Sequence, residues 1–121
     1  MKEITIWHNP RCSKSREALA ILEDSGCKKE VIKYLETSPD ENQIKTLLKM
    51  LGITPRELMR TKEDIYKELN LKDENSDDAL ISAMAKYPKL IERPIVIKGS
   101  KAIIGRPTSI IAEFLNSKTI N

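Results

Sequence analysis

Hydrophobic period changes twice within the first 35 residues, and this constrains the fold more than any other feature. Ile4, Ile6 and His8 alternate with Thr5 and Trp7, the period-two pattern of a strand enriched in β-branched residues. Asn9-Pro10 ends that strand, because proline donates nothing to a ladder and Asn-Pro favours a turn. Ala18, Leu19, Ile21 and Leu22 then recur at helical spacing, and Gly26 stops the helix as a C-terminal cap does. Val31, Ile32, Tyr34 and Leu35 read as a second strand. Strand, helix and strand in so short a stretch predict a βαβ unit, whose strands lie parallel.

The middle of the chain is helical and well punctuated. Ser38-Pro39-Asp40-Glu41 offers a capping serine, a first-turn proline and a reciprocal glutamate. A helix through Ile44, Leu47, Leu48 and Leu51 follows, closed by Gly52. Thr54-Pro55-Arg56-Glu57 repeats the capping pattern and predicts a short helix to about Arg60. Ile65, Tyr66 and Leu69 predict another. Ser76 caps one running through Leu80, Ile81, Met84 and Ala85 to Pro88, after a solvated Asp73-Glu74-Asn75 loop. Strands return at Pro94–Ile97 and Ala102–Ile104, joined by a Gly99-Ser100 hairpin. Gly105-Arg106-Pro107-Thr108 turns into a last helix bearing Ile110, Ile111, Phe114 and Leu115. The order βαβ, helical insert, ββα predicts an α/β fold with a mixed four-stranded sheet. That is the topology of the thioredoxin and glutaredoxin fold, here as one domain over 1–121 with the insert at about 38–90.

Composition narrows the function. With 40% hydrophobic and 32% charged residues the chain has the makings of a globular core. Its net charge of +3 is spread over scattered lysines, so no nucleic acid is expected as a partner. No apolar run reaches the ~20 residues of a membrane span, and Met1–His8 lacks the apolar core of a signal peptide. The expected compartment is the cytoplasm, with no membrane partner. Cys12, Cys27 and the single histidine make neither a disulfide framework nor a zinc set, so no metal is expected.

Chemistry concentrates in His8-Asn9-Pro10-Arg11-Cys12-Ser13-Lys14-Ser15-Arg16, between the first strand and the first helix. Unpaired amides and the dipole at a helix N-terminus favour anions and push a cysteine there toward thiolate. Arg11, Lys14 and Arg16 add positive charge. Cys12 reads either as a nucleophile or as a packed thiol beside a capping Ser13. His8 reads either as a charge or hydrogen-bond donor to the sulfur or as a strand end without a role. Ser15, one turn past Cys12, can face its hydroxyl to the sulfur or satisfy the backbone. Arg93 and Arg106 each precede a proline, which holds them extended at strand ends. An arginine fork suits a tetrahedral oxyanion better than a lysine does. Arg56 reads as a surface charge, and Cys27, at the far end of the first helix, as a spectator.

These residues resemble the glutaredoxin-coupled arsenate reductase family (ArsC). The resemblance runs from His8-Asn9-Pro10, Cys12, Ser15 and Arg16 through Tyr34-Leu35-Glu36-Thr37 and Leu51-Gly52-Ile53 to Arg60. It continues through Arg93-Pro94-Ile95-Val96 to Arg106-Pro107, and so spans the chain in order. It implies Cys12 as nucleophile, His8 and Ser15 as stabilisers of its thiolate, and Arg60, Arg93 and Arg106 as oxyanion ligands. Pro94 matches the cis-proline of the fold. Glutathione as co-substrate, glutaredoxin as partner and no bound cofactor are implied as well. Arg11 and Cys12-Ser13-Lys14-Ser15 depart from the Cys-Gly-Thr-Ser common in resistance-type members and alter the rim of the anion site. The resemblance thus implies arsenate or a similar oxyanion as substrate. The same fold includes Spx-type regulators that bind RNA polymerase, but Ser15 stands where their second switch cysteine would be. A general glutathione-dependent thiol transferase would have no use for three oxyanion-binding arginines.

Overall fold

The computed structural model describes residues 4–26, 28–105 and 108–116. In chain order the first elements are β1 (Ile4–Trp7), α1 (Ser13–Asp24), β2 (Lys29–Ile32), α2 (Glu41–Leu51), α3 (Pro55–Leu58) and α4 (Asp64–Glu68). They continue with a 3-10 turn (Leu71–Asp73), α5 (Asp77–Lys86), a second 3-10 turn (Pro88–Leu90), β3 (Ile95–Lys98), β4 (Lys101–Ile104) and α6 (Ser109–Asn116). The chain forms two compact units, one of Met1–Lys33 with Arg93–Asn121, the other of Tyr34–Glu92. Among the described residues, no helix is long and apolar enough to cross a membrane.

The first unit is a mixed four-stranded sheet in the order β2-β1-β3-β4. β1 runs parallel to β2 and antiparallel to β3, and β3 pairs antiparallel with β4. Alternation puts Ile4 and Ile6 of β1 on one face, where Ile6 stands opposite Val96 and Val96 opposite Ile103. Ala18 and Leu22 of α1 and Ile111 of α6 pack into the same cluster. Each fully buried isoleucine, leucine or valine there contributes about 1.5–3 kcal/mol. β2 stops at Ile32 and does not reach Tyr34 and Leu35 as the sequence pattern suggests. Its partner β1 ends at Trp7, opposite Ile32, so there is no strand left to pair with. Gly26 ends α1 with φ of 72°, a conformation that costs an L side chain energy.

The second unit is built on α2 and α5, which bury Ile44, Leu47 and Leu48 from one and Leu80, Ile81 and Met84 from the other. The cap of α2 is Asp40, not Ser38. The Gln43 amide donates to Asp40 Oδ1 at 2.8 Å and the Asp40 amide to Gln43 Oε1 at 2.9 Å, a complete reciprocal box with negative charge at the helix's positive end. Thr54 and Glu57 form the same box for α3. That helix ends at Leu58 instead of Arg60, because Met59 turns extended and bridges Ile91. On either side of the bridge the Arg60 amide donates to Leu90 O at 2.6 Å and the Glu92 amide to Leu58 O at 2.8 Å.

Arg56 is not the surface charge its sequence context suggests. Its guanidinium donates to the Tyr66 hydroxyl, to Leu71 O at 3.0 Å and to Glu74 O. It thereby ties α3 to α4, to the first 3-10 turn and to the residue that follows that turn. Lysine carries the charge but cannot span those three acceptors. Arg56→Lys is therefore expected to cost about 2 kcal/mol, the scale of hydrogen bonds to a charged group. Urea unfolding of the two proteins checks this, and an unchanged midpoint would contradict it.

Candidate active site

β1 delivers the chain into a short, fully bonded loop. The His8 amide donates to Ile32 O at 2.8 Å, closing the last rung of the parallel pair. Asn9 then makes three contacts. Its amide donates to Ser15 Oγ at 2.9 Å, its carbonyl accepts from the Cys12 amide at 3.0 Å, and its Oδ1 accepts from the Arg11 amide at 3.0 Å. Pro10 O accepts from Arg16 Nη1 at 2.9 Å. His8, Asn9 and Ser15 are the buried polar side chains of this region, and Ser15 is fully buried. Buried polar groups persist only when paired, and here each has a partner.

Cys12 is the N-cap of α1, with extended backbone (φ −95°, ψ 123°), and its carbonyl accepts the first helical bond from Arg16 at 3.0 Å. The sulfur therefore sits where a capping oxygen usually does, ahead of amides that have no partner within the helix. Partial burial pushes the thiol up. That push is outweighed by the Ser15 amide, by a hydrogen bond and the charge from the Arg93 guanidinium, and by the Lys14 amide. The net effect holds Cys12 below the ordinary thiol range, the condition for a nucleophilic thiolate.

His8 lies 2.7 Å from Ser15 Oγ through Nδ1. Burial first, and then the charge of Lys33, lower its pKa, so near neutral pH the ring is uncharged. Ser15 Oγ already accepts from the Asn9 amide. The arrangement that satisfies every group has the hydroxyl donate to His8 Nδ1, leaving the ring proton on Nε2. The Ser15 hydroxyl is thus turned to His8 and Asn9, and it is the Ser15 amide that bears on the sulfur.

Arg93 belongs to the same unit and acts directly on Cys12. The Arg93–Pro94 peptide is cis, and Pro94 O accepts from the Gly105 amide at 2.8 Å. A Cβ at Gly105 would stand 2.9 Å from Ile111 Cδ1 and 3.1 Å from Pro94 Cγ, so a side chain there would make its neighbours shift. Arg60 lies in the second unit, where its Nε donates to Glu63 Oε2 at 3.1 Å and its Nη1 lies 3.6 Å from Glu92 Oε1. Arg106 and Cys27 lie outside the described residues. Among the described residues, no group of three histidine, cysteine or acidic side chains could hold a metal ion.

Two residues escaped the sequence reading. Asn9 reads from its neighbour Pro10 as a turn former, and only its three contacts show it as the organiser of the loop. Lys33 carries no local motif at all, yet its charge acts on His8.

The site defines a class, a thioredoxin-like α/β protein with one cysteine at the N-terminus of the helix that follows β1. The ArsC family model matches residues 7–114, and the chain belongs to that family. The uncharacterized protein YfgD of Escherichia coli (strain K12) is 54% identical over 116 residues, 94% of this chain and 98% of that protein. Arsenate reductase of Neisseria meningitidis serogroup B is 51% identical over 117 residues, 95% of this chain and 100% of that protein. Among solved structures, arsenate reductase from Vibrio cholerae matches with a TM-score of 0.89 at 54% identity, covering 93% of this chain and 97% of that one.

The thiolate should be visible in its reactivity. The alkylation rate of Cys12 against pH is expected to show a midpoint below the ordinary thiol value of about 8.5. Arg93→Gln, which removes the charge and the guanidinium, is expected to move that midpoint upward. Mass spectrometry of the modified peptide measures both, and a midpoint that ignores Arg93 would contradict the assignment.

Proposed function

We propose that this protein reduces arsenate to arsenite, with glutathione as the thiol co-substrate and glutaredoxin as the partner that clears the mixed disulfide. The observation that carries the reading is Cys12 at the N-cap of α1 under the influence of the Ser15 and Lys14 amides and the Arg93 guanidinium. Relatives named arsenate reductase, one 51% identical along its whole length, support it.

Near neutral pH arsenate is a dianion and would be repelled by a thiolate. In this reading Arg93, with Arg60 and Arg106, binds and orients the oxyanion, so that the cost of bringing two anions together falls to positioned cations. Cys12 sulfur attacks arsenic: an S–As bond forms, an As–O bond breaks, and two protons carry the departing oxygen away as water. The neutral His8 ring and the Ser15 hydroxyl hold the loop in place and add no charge of their own.

Arsenic must then gain two electrons. Residues 12–15 hold a single thiol, with serine at Ser15. We assign the electrons to an outside thiol, glutathione. In the net reaction two glutathione thiols and two protons convert the hydrogen arsenate dianion into arsenous acid, glutathione disulfide and water. The chemistry needs no bound cofactor. It fits the cytoplasm, where glutathione is kept reduced.

Arsenite formation with glutathione and glutaredoxin tests this. The protein is expected to turn over, Cys12→Ser to fall by more than about a thousandfold, as loss of a nucleophile does, and thioredoxin alone to support little turnover. Equal rates with thioredoxin would remove the glutathione coupling. No arsenite in either mixture, from protein with a reactive Cys12, would overturn the assignment of arsenate as substrate.

A further inference from the structure

The Arg60 guanidinium is held by carboxylates from two segments. The turn Arg60–Glu63, closed by the Glu63 amide donating to Arg60 O at 3.2 Å, brings Glu63 back over the arginine. Arg60 Nε donates to Glu63 Oε2 at 3.1 Å. The neighbouring strand-like segment, fixed by the Met59–Ile91 bridge, carries Glu92, whose Oε1 lies 3.6 Å from Nη1. All three side chains are about 70–78% buried, at 22%, 24% and 30% exposure. The guanidinium is thus bracketed along its Nε edge and at Nη1, and its Nη2 edge carries no partner among the described residues.

Two carboxylates on one guanidinium give a cluster of net charge −1, a poor arrangement for drawing in an anion by charge alone. It is a good arrangement for aim. A free arginine side chain spends its rotamer freedom when it binds, and a bracketed one has already lost it. We propose that Glu63, assisted by Glu92, is the positioning residue that holds the Arg60 guanidinium so that its Nη2 edge meets the oxyanion. The inference rests on the reading of Arg60 as an oxyanion ligand.

Glu63→Ala and Glu63→Gln separate aim from charge, because both remove the same negative charge and only glutamine keeps an acceptor for Nε. The readout is the arsenate concentration that half-protects Cys12 from iodoacetamide in the full chain, without glutathione. That concentration is expected to be at least fivefold higher in Glu63→Ala than in Glu63→Gln. The difference is expected to vanish when both changes are made in Arg60→Ala, the mark of a residue that acts through its partner. A ratio near one overturns the proposal, and so does a ratio that survives in Arg60→Ala, which would show a merely structural role. If arsenate fails to protect Cys12 in the unsubstituted protein, the oxyanion reading itself is wrong, and this inference falls with it.

Discussion

The buried hydroxyl of Ser15 joins two pieces of chain that would otherwise have no reason to keep their angle. It takes the Asn9 amide from the loop after β1 and meets Nδ1 of His8 at the end of that strand, from a position one turn into α1. Leaving such groups unpaired in the interior costs about 1–3 kcal/mol each, a sizeable share of a small protein's stability. The loop therefore has little freedom. Once it is set, Cys12 falls at the N-cap and the amides of Lys14 and Ser15 bear on its sulfur. The setting of the Cys12 sulfur follows from polar satisfaction in the core.

The same network decides where positive charge comes from. His8 is buried and stands in the field of Lys33, so it stays neutral and serves as a hydrogen-bond partner. The cationic influence on Cys12 comes from Arg93, just ahead of β3, and the Ser15 and Lys14 amides add to it. Both are fixed by backbone, with Arg93 standing two residues before a strand that pairs with β1 residue for residue. A thiolate stabilised this way keeps its environment across the pH range in which a charged histidine would switch off.

Much of the fold could be read from residue order because its signals are local. The period change at Asn9-Pro10 marks the β1–α1 junction, and the Thr54/Glu57 box and the Gly99 turn mark their own boundaries. What could not be read depends on partners far away in sequence. The end of β2 was set by the length of β1 and not by Tyr34 and Leu35. Arg56 found Leu71 and Glu74, 15 and 18 residues on, and became a staple. The helix expected to be capped by Ser38 is capped two residues later, by Asp40 with Gln43. In the site, Cys12 was legible from its position before a helix, and Arg93 from the proline after it. The turning of the Ser15 hydroxyl toward His8 was not, since spacing gives a helical face but not which of two acceptors a hydroxyl will choose.

Arsenic is expected to bond to Cys12 sulfur before any outside thiol takes part. X-ray absorption at the arsenic edge tests it on the full chain mixed with arsenate in the absence of glutathione. An As–S scattering path is expected in the unsubstituted protein and not in Cys12→Ser. A purely oxygen shell in both, from protein shown to bind arsenate, would contradict it.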